Sequence, residues 1–312
     1  MKPAPYGWII LDKPLGLGST QAVSAVKRNL REAGFGKGIK VGHGGTLDPL
    51  ATGVLPIALG EATKLAGRML DATKQYQFTV QFGRETDTLD LEGQVVCTSD
   101  YQPGFGALEK VIDDHFTGPI EQVPPAYSAL MIDGQRAYDR ARAGEQVELP
   151  TRSVTVYDWR YVAEGFAGEW GASEQYATLE VTVSKGTYIR SLARDIALAL
   201  GTRGHVTMLR RLRAGPFGLD RAISLDKLNE VGKGAPLENV ILPLEAGLDD
   251  IPALNLGPEQ ARAVRQGRIL AGLPHDDGLY WARAGMVPVA LVELAGSSLR
   301  VIRGFNLPDV AE

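Results

Sequence analysis

The 312-residue sequence holds one cysteine, Cys97. One thiol excludes an intramolecular disulfide and any cysteine-based metal cluster. No apolar run reaches the roughly 20 residues of a membrane span. The opening MKPAPYGWIILDKP meets an aspartate and a lysine almost at once. It lacks the apolar stretch and small-residue cleavage site of a signal peptide. These absences lead to the expectation of a cytoplasmic protein with no membrane contact. Nucleotide signatures are missing too. There is no GxxxxGK[ST] phosphate loop and no GxSxG elbow. Gly34, Gly36 and Gly38 precede Gly42, but they follow a helical pattern and not a strand, which argues against a dinucleotide fingerprint. The four histidines, at 43, 115, 205 and 275, have no metal-ligand spacing. The acids of DTLDLEG (87–93) fall at the wrong positions for a calcium loop and read as a turn. No metal and no cofactor are expected.

Positive charge is scarce overall, with a formal net charge of −4. It is concentrated in one place. Between Lys185 and Arg213 the cations are Lys185, Arg190, Arg194, Arg203, Arg210, Arg211 and Arg213, against Asp195 alone. A run of one sign can be a solvated helix face or a polyanion surface.

Hydrophobic content of 44% and charged content of 22% suit a globular chain with a sizeable core and two domains. GWIILDKP (7–14) reads as a buried strand stopped by Pro14. STQAVSAVKRNLREAGFG reads as a helix capped by Ser19 or Thr20, with Val23, Val26, Leu30 and Ala33 inward and Gly34 as its stop. YQFTVQF (76–82) and TLEVTV (178–183) alternate with the period of half-buried strands. YIRSLARDIALALG reads as a helix with Ile189, Leu192, Ile196 and Leu200 inward and Gly201 as its stop. Residues 100–150 and 160–177 read as loops or insertions. From about 231 to 257 the chain reads as the approach to a small module of one helix, PEQARAVRQG, and short strands in GLYWARA, VPVALVEL and LRVIRGF. The expected boundaries are 1–247 and 248–312.

What remains is KVGHGGTLDPLATGVLPIALGEATK (40–64). A loop aspartate commonly caps a turn or helix. Glycines 42, 44 and 45 would also let the backbone approach a ligand closely. Pro49 would fix the exit, and the apolar run 54–59 would hold the loop rigid. That arrangement suits a nucleophile, Asp48, on a short loop.

GHGGTLDPLATGVLPIALGEATK resembles the catalytic motif of the TruB-type tRNA pseudouridine synthases. Further segments agree in order: LDKPLGLGST, KQYQFTVQFGRETDTLDLEG, VPPAYSAL, KGTYIRSLARD and LRRLRAGPF. The resemblance covers about residues 5–220, and the last 60 residues resemble more loosely a PUA-like RNA-binding module. It implies an α+β fold with a central mixed, mainly antiparallel sheet plus a small β-rich C-terminal domain. It implies isomerisation of a T-loop uridine (position 55 in tRNA numbering) after the base is flipped out. In this family Asp48 would be the essential aspartate, in a largely dry pocket, with Arg190 as its partner and Tyr76 as the active-site tyrosine. Tyr188 would contact the flipped uridine, and Leu209 would pack against that base or against Tyr76. His43 would fill the space that the uridine leaves. Lys64, Lys185 and Arg211 would meet RNA phosphates. Position 44 is Gly where the family more often has Thr or Ala.

The expected partner is the tRNA T-arm, with no obligate protein partner and a monomeric state. Two alternatives share the motifs: a guide-RNA-dependent synthase subunit, and a tRNA-folding chaperone with modification secondary. The acidic end NLPDVAE favours a stand-alone enzyme over the guide-dependent type. A carboxylate glycosidase would need a second carboxylate as proton donor, and none stands out.

Overall fold

The computed structural model describes residues 2–167 and 174–307. The acidic end from 308 onward and part of the expected insertion at 160–177 therefore lie outside the described residues. The chain forms two compact units: 1–47, 54–70 and 215–312 make one, and 48–53 with 71–214 make the other.

The first unit opens with strand β1 (Gly7–Lys13), buried along nearly its whole length as its apolar run requires. Helix α1 (Ser19–Glu32) buries Ala22, Ala25, Val26, Asn29 and Leu30, while Val23 is only half-buried. Its N-terminus is not capped by Ser19. The Gly18 amide instead donates to the Gln21 side chain at 2.8 Å, which leaves Ser19 for another task described below. Gly34 closes the helix at φ 85°, and the Phe35 amide returns to the Leu30 carbonyl. Strand β2 (Val41–His43) runs antiparallel to β3 (Ala51–Leu59). Strand β3 is buried at every position but Thr52. It gives its first three residues to the second unit and the rest to the first.

The second unit is built on a sheet. Its strands are β4 (Lys74–Phe82), β5 (Gly118–Gln122), β6 (Arg152–Ala167), β7 (Glu174–Val183) and β8 (Gly204–Ala214). The order is β3–β8–β4–β7–β6–β5. Every pairing is antiparallel except β3 with β8, which is parallel. The sheet is thus mixed and mainly antiparallel. Phe78, Val80 and Phe82 of β4 and Leu179, Val181 and Val183 of β7 face a core that includes Leu108 and Ile112 of α2 (Phe105–His115) and Leu192 and Ile196 of α3 (Ile189–Ala199). The opposite face is polar: Thr79 meets Thr178 at 2.8 Å, and Glu180 meets Gln77 and Arg160. Helix α3 ends at Gly201, at φ 80°.

Two segments expected as loops or insertions hold regular structure. Most of 160–177 is the long antiparallel pair β6–β7 and not a loop. Register shifts at Val156/Asp158 and Tyr161/Ala163 interrupt the period-2 alternation that marks a strand. Likewise 100–150 holds α2, β5, a short hairpin at 131–136 and a helix at Ala137–Arg142.

The remainder of the first unit contains α4 (Leu225–Gly232), capped by the Ser224 side chain. The stretch around Leu244–Leu248 is no loose linker. Trp8 Nε1 donates to the Leu244 carbonyl at 3.0 Å, and a Cβ at Gly247 would stand 2.7 Å from the Trp8 ring. Beyond it lies a five-stranded sheet of β9 (Ala253–Asn255), β10 (Leu270–Ala271), β11 (Gly278–Ala284), β12 (Val287–Ala295) and β13 (Ser298–Gly304), in the order β9–β11–β12–β13–β10. Helix α5 (Pro258–Arg265) adds Ala261 and Val264 to its core.

One glycine is required where β3 meets β8. Gly53 has φ +100°, and a Cβ there would stand 2.2 Å from the Arg211 carbonyl oxygen. Gly53→Ala must strain the backbone and part the strands. The expected loss is more than about 2 kcal/mol, seen as a lowered thermal midpoint. A change within roughly 0.5 kcal/mol would mean that the strands are not held this close.

Candidate active site around Asp48

The loop before Asp48 is pinned at several points. The Gly44 amide donates to the Pro56 carbonyl at 2.8 Å. A Cβ at Gly44 would lie 2.5 Å from Met69 Cβ. The Gly found where Thr or Ala was more expected is therefore a packing requirement in this chain. Ser19 Oγ accepts from the Leu47 amide at 2.8 Å and donates to the Leu47 carbonyl at 2.9 Å. This buried pair explains why Ser19 does not cap its own helix. The chain then turns through Asp48-Pro49-Leu50-Ala51, closed by the Ala51 amide on the Asp48 carbonyl at 3.0 Å. Proline suits the second position of such a turn.

The Asp48 carboxylate faces Arg190, near the start of α3. Oδ2 lies 2.9 Å from Nη2. The guanidinium is 7% exposed and the Asp48 side chain 44%. The pocket is thus not largely dry at the carboxylate. Three more oxygens hold Arg190. Nη1 lies 3.3 Å from Asp90 Oδ2 and donates to the Thr88 carbonyl at 2.9 Å, and Nη2 donates to the Tyr127 carbonyl at 2.9 Å. Asp90 Oδ1 in turn accepts from Thr88 Oγ1 and the Glu92 amide. Leu89, between the two groups that reach Nη1, has φ 63°. A left-handed leucine is unfavourable alone; here its carbonyl is fixed by the Val206 amide at 3.0 Å.

Asp48, Asp90 and Arg190 line one cleft, with Leu50, Val206 and Leu209 as its apolar wall. Leu209 sits opposite Ala51 on β3 and Phe78 on β4. Tyr188 caps the entry to α3. Its amide donates to the Gln122 side chain and its carbonyl accepts from it. Burial pushes its phenol up, and the Asp48 charge adds to this. The Arg152 guanidinium lies over its ring. Tyr76 is half-buried on β4, opposite Val181 and Arg211, and packs on the core. It is one same-face step from Phe78, Leu209's neighbour, and does not itself line the cleft.

The expected phosphate contacts need correction. Arg211 is 1% exposed, so its guanidinium is inside the protein and not on an RNA-facing surface. Lys185 is exposed but lies 2.9 Å from Asp71. Lys64 belongs to the other unit, where its ammonium meets Glu61 at 2.7 Å and the Gly304 carbonyl at 2.8 Å. His43 is also in that unit, half-buried on β2 opposite Ile57. The cationic run does not form one surface. Arg190 and Arg211 are buried, and Arg194 binds Asp195 and the Val123 carbonyl. Asp90, Ser19, Thr88 and Tyr127 were not foreseen as site residues. DTLDLEG and VPPAYSAL carried three of them, but two act through main-chain carbonyls, which no side-chain signature reports.

The TruB family pseudouridylate synthase N-terminal model matches residues 28–189, and the tRNA pseudouridylate synthase B C-terminal model matches 190–249. The chain belongs to the TruB family of pseudouridylate synthases. It is 70% identical to tRNA pseudouridine synthase B of Novosphingobium aromaticivorans, covering 98% of this chain and 99% of that protein. It is 54% identical to the protein of the same name from Zymomonas mobilis, covering 98% and 99%. Among solved structures it is similar to a chain of an H/ACA ribonucleoprotein bound to a substrate RNA containing 2′-deoxyuridine. The TM-score is 0.69 at 26% identity, covering 97% of this chain and 85% of that one. A chain of the archaeal Nop10–Cbf5 complex gives 0.67 at 25%, covering 97% and 86%. The TruB family is thereby fixed as the frame for the site, and a pseudouridine synthase fold for the chain.

Two predictions test this electrostatic arrangement. Arg190→Met would leave Asp90 buried without its cation and two carbonyls unpaired, and is expected to cost about 3–5 kcal/mol. Asp48→Asn, at a half-exposed position, should cost less than about 1 kcal/mol. Urea unfolding of both variants reads the difference, and equal losses would contradict it. Lys74, at the start of β4, is also buried, and desolvation, aided by the Arg211 charge, pushes its pKa down to about 8. Its folded value lies below the unfolded 10.5, so the buried charge weakens the fold below pH 8 and the penalty fades as pH rises toward 10.5. Lys74→Met should therefore raise the thermal midpoint at pH 7, with the gain shrinking between pH 8 and 10.5. A gain independent of pH would contradict that account.

Proposed function

We propose that this enzyme isomerises the uridine at position 55 in the T loop of tRNA to pseudouridine, with Asp48 as the reacting carboxylate. The observation that carries this reading is the Asp48 carboxylate held 2.9 Å from a buried arginine beside the apolar wall of one cleft. The base leaves C1′, turns over and rejoins through C5. No atom is added or lost. Asp48 either adds to the sugar or base, or stabilises the charge that develops at C1′. Arg190 orients the carboxylate, and its other oxygen partners keep the guanidinium from moving. Leu209 and Tyr188 offer an apolar edge and an aromatic ring to a flipped base, and Tyr76 stands one same-face step along β4 from Phe78. Extrusion costs roughly a few kcal/mol, which stacking and phosphate contacts offset. Asp90 is not free to serve as the second carboxylate of a glycosidase-type reaction, because Arg190, Thr88 and the Glu92 amide already bind it.

A tRNA substrate is supported by the 70% and 54% identity to proteins named tRNA pseudouridine synthase B. The chains of the H/ACA ribonucleoprotein structures lie at 26% or below. We further assign residues 1–247 to catalysis and 248–312 to a PUA-like RNA-binding module. The enzyme acts as a cytoplasmic monomer without a protein partner.

The test is tritium release from a T-arm stem-loop labelled at uridine C5. Wild type should release tritium from the one T-loop uridine, and Asp48→Asn should be slower by at least about 10³-fold while still binding. Absence of release from either, with binding intact, would overturn the reading in favour of a folding chaperone or a guide-dependent enzyme.

A further inference from the structure

The first unit contains a second cavity of about 180 Å³, between the last turns of α1 and the segment that follows it. Lys27 and Arg31 of α1 and Lys37 of the following segment line its rim. Leu30, Ile39 and Val41 form its floor. All three cations are exposed. None shows a carboxylate partner among the described residues; the Arg31 Nε donates only to the Lys27 carbonyl, at 3.3 Å. One cation in the last turn of a helix complements the helix dipole. That does not account for three cations around one hollow in a chain whose net charge is −4.

The cavity is tied to the proposed reaction through the chain. Val41 in its floor opens β2, the strand that carries His43. Helix α1, which supplies two of the cations, begins at Ser19, the residue that clamps Leu47 next to Asp48. From Ser19 to Arg31 the helix rises ~18 Å. Within the first unit the helix therefore runs from the Ser19–Leu47 clamp to the basic hollow.

We propose that this hollow is an anchoring site for backbone phosphates of the tRNA, additional to the contacts of the target nucleotide; it rests on the reading of the chain as a tRNA enzyme. Exposed, unpaired cations suit phosphate oxygens because binding releases condensed counterions. The apolar floor and the adjacent glycines, Gly36 and Gly38, let a ribose and backbone approach without a side chain in the way. The site is independent of sequence, since it offers charge and shape and no base-reading groups. It also supplies positive charge that the buried members of the 185–213 run cannot.

The experiment measures affinity for full-length unmodified tRNA from low to physiological salt, with wild type and a Lys27→Gln, Arg31→Gln, Lys37→Gln variant. A second variant, Gly38→Glu, keeps all three cations and adds a carboxylate at a position where a Cβ meets nothing within 4 Å. Thermal midpoints confirm that both fold. The triple variant should bind about 10-fold more weakly at low salt. Its log–log salt slope should be shallower by about 2, since each phosphate no longer neutralised removes roughly 0.7–0.9 from the slope. Gly38→Glu should weaken binding in the same direction. An unchanged slope and affinity in both variants would overturn the proposal. Tritium release by wild type, read in parallel, tests the reaction separately. Its absence would sink the reaction, while the slope would still decide the hollow.

Discussion

At the cleft one guanidinium meets four oxygens. Arg190 holds Asp48, Asp90 and the carbonyls of Thr88 and Tyr127. An arginine has a planar fork of donors and cannot be discharged, so a nearly buried one must be surrounded by acceptors. Only one of the four is on the open side. Asp90 and the two carbonyls fix the fork from within, and Asp48 meets Nη2 at the cleft mouth. The carboxylate is thereby placed by a residue whose own position it does not determine. That asymmetry suits the reacting role proposed for Asp48, whose partner stays still whatever happens at the carboxylate.

The same division holds for the loop. Ser19 grips both polar atoms of Leu47, Gly44 packs against Met69, and Gly53 lies against the Arg211 main chain. Each of these is a close approach that a larger side chain would block or a missing hydroxyl would release. The turn at Pro49 then has little freedom. Backbone entropy that the loop would otherwise lose on binding substrate is already lost on folding.

Charge is distributed less simply than the chain order implies. A cluster of cations in sequence becomes two buried arginines, several paired side chains and few exposed ones once strands and a helix send alternate residues to opposite faces. The hollow at the end of α1 collects cations from two short segments that carry no dense run. Phosphate-facing charge is decided by which side chains share a surface, and net charge alone does not show it.

The helix at 189–199, the strand at 76–82 and the small C-terminal sheet follow from periodicity and the strand at 7–13 from its continuous apolar run, because these are local properties. Asp48 and Arg190 were legible as a pair through the ordered motifs. Of the long pair at 152–167 and 174–183 only the TLEVTV end was legible, since bulges in the first strand break its alternation. The part of Asp90 was hidden because DTLDLEG gains meaning only when a residue a hundred positions away packs against it. The burial of Arg211 and the engagement of Lys64 with Gly304 were equally hidden. Sequence by itself determined which elements form and which chemistry the loop at 42–53 can hold. Tertiary structure alone decided which charges are buried, which are paired and which meet solvent, because desolvation and pairing depend on neighbours brought together by the fold.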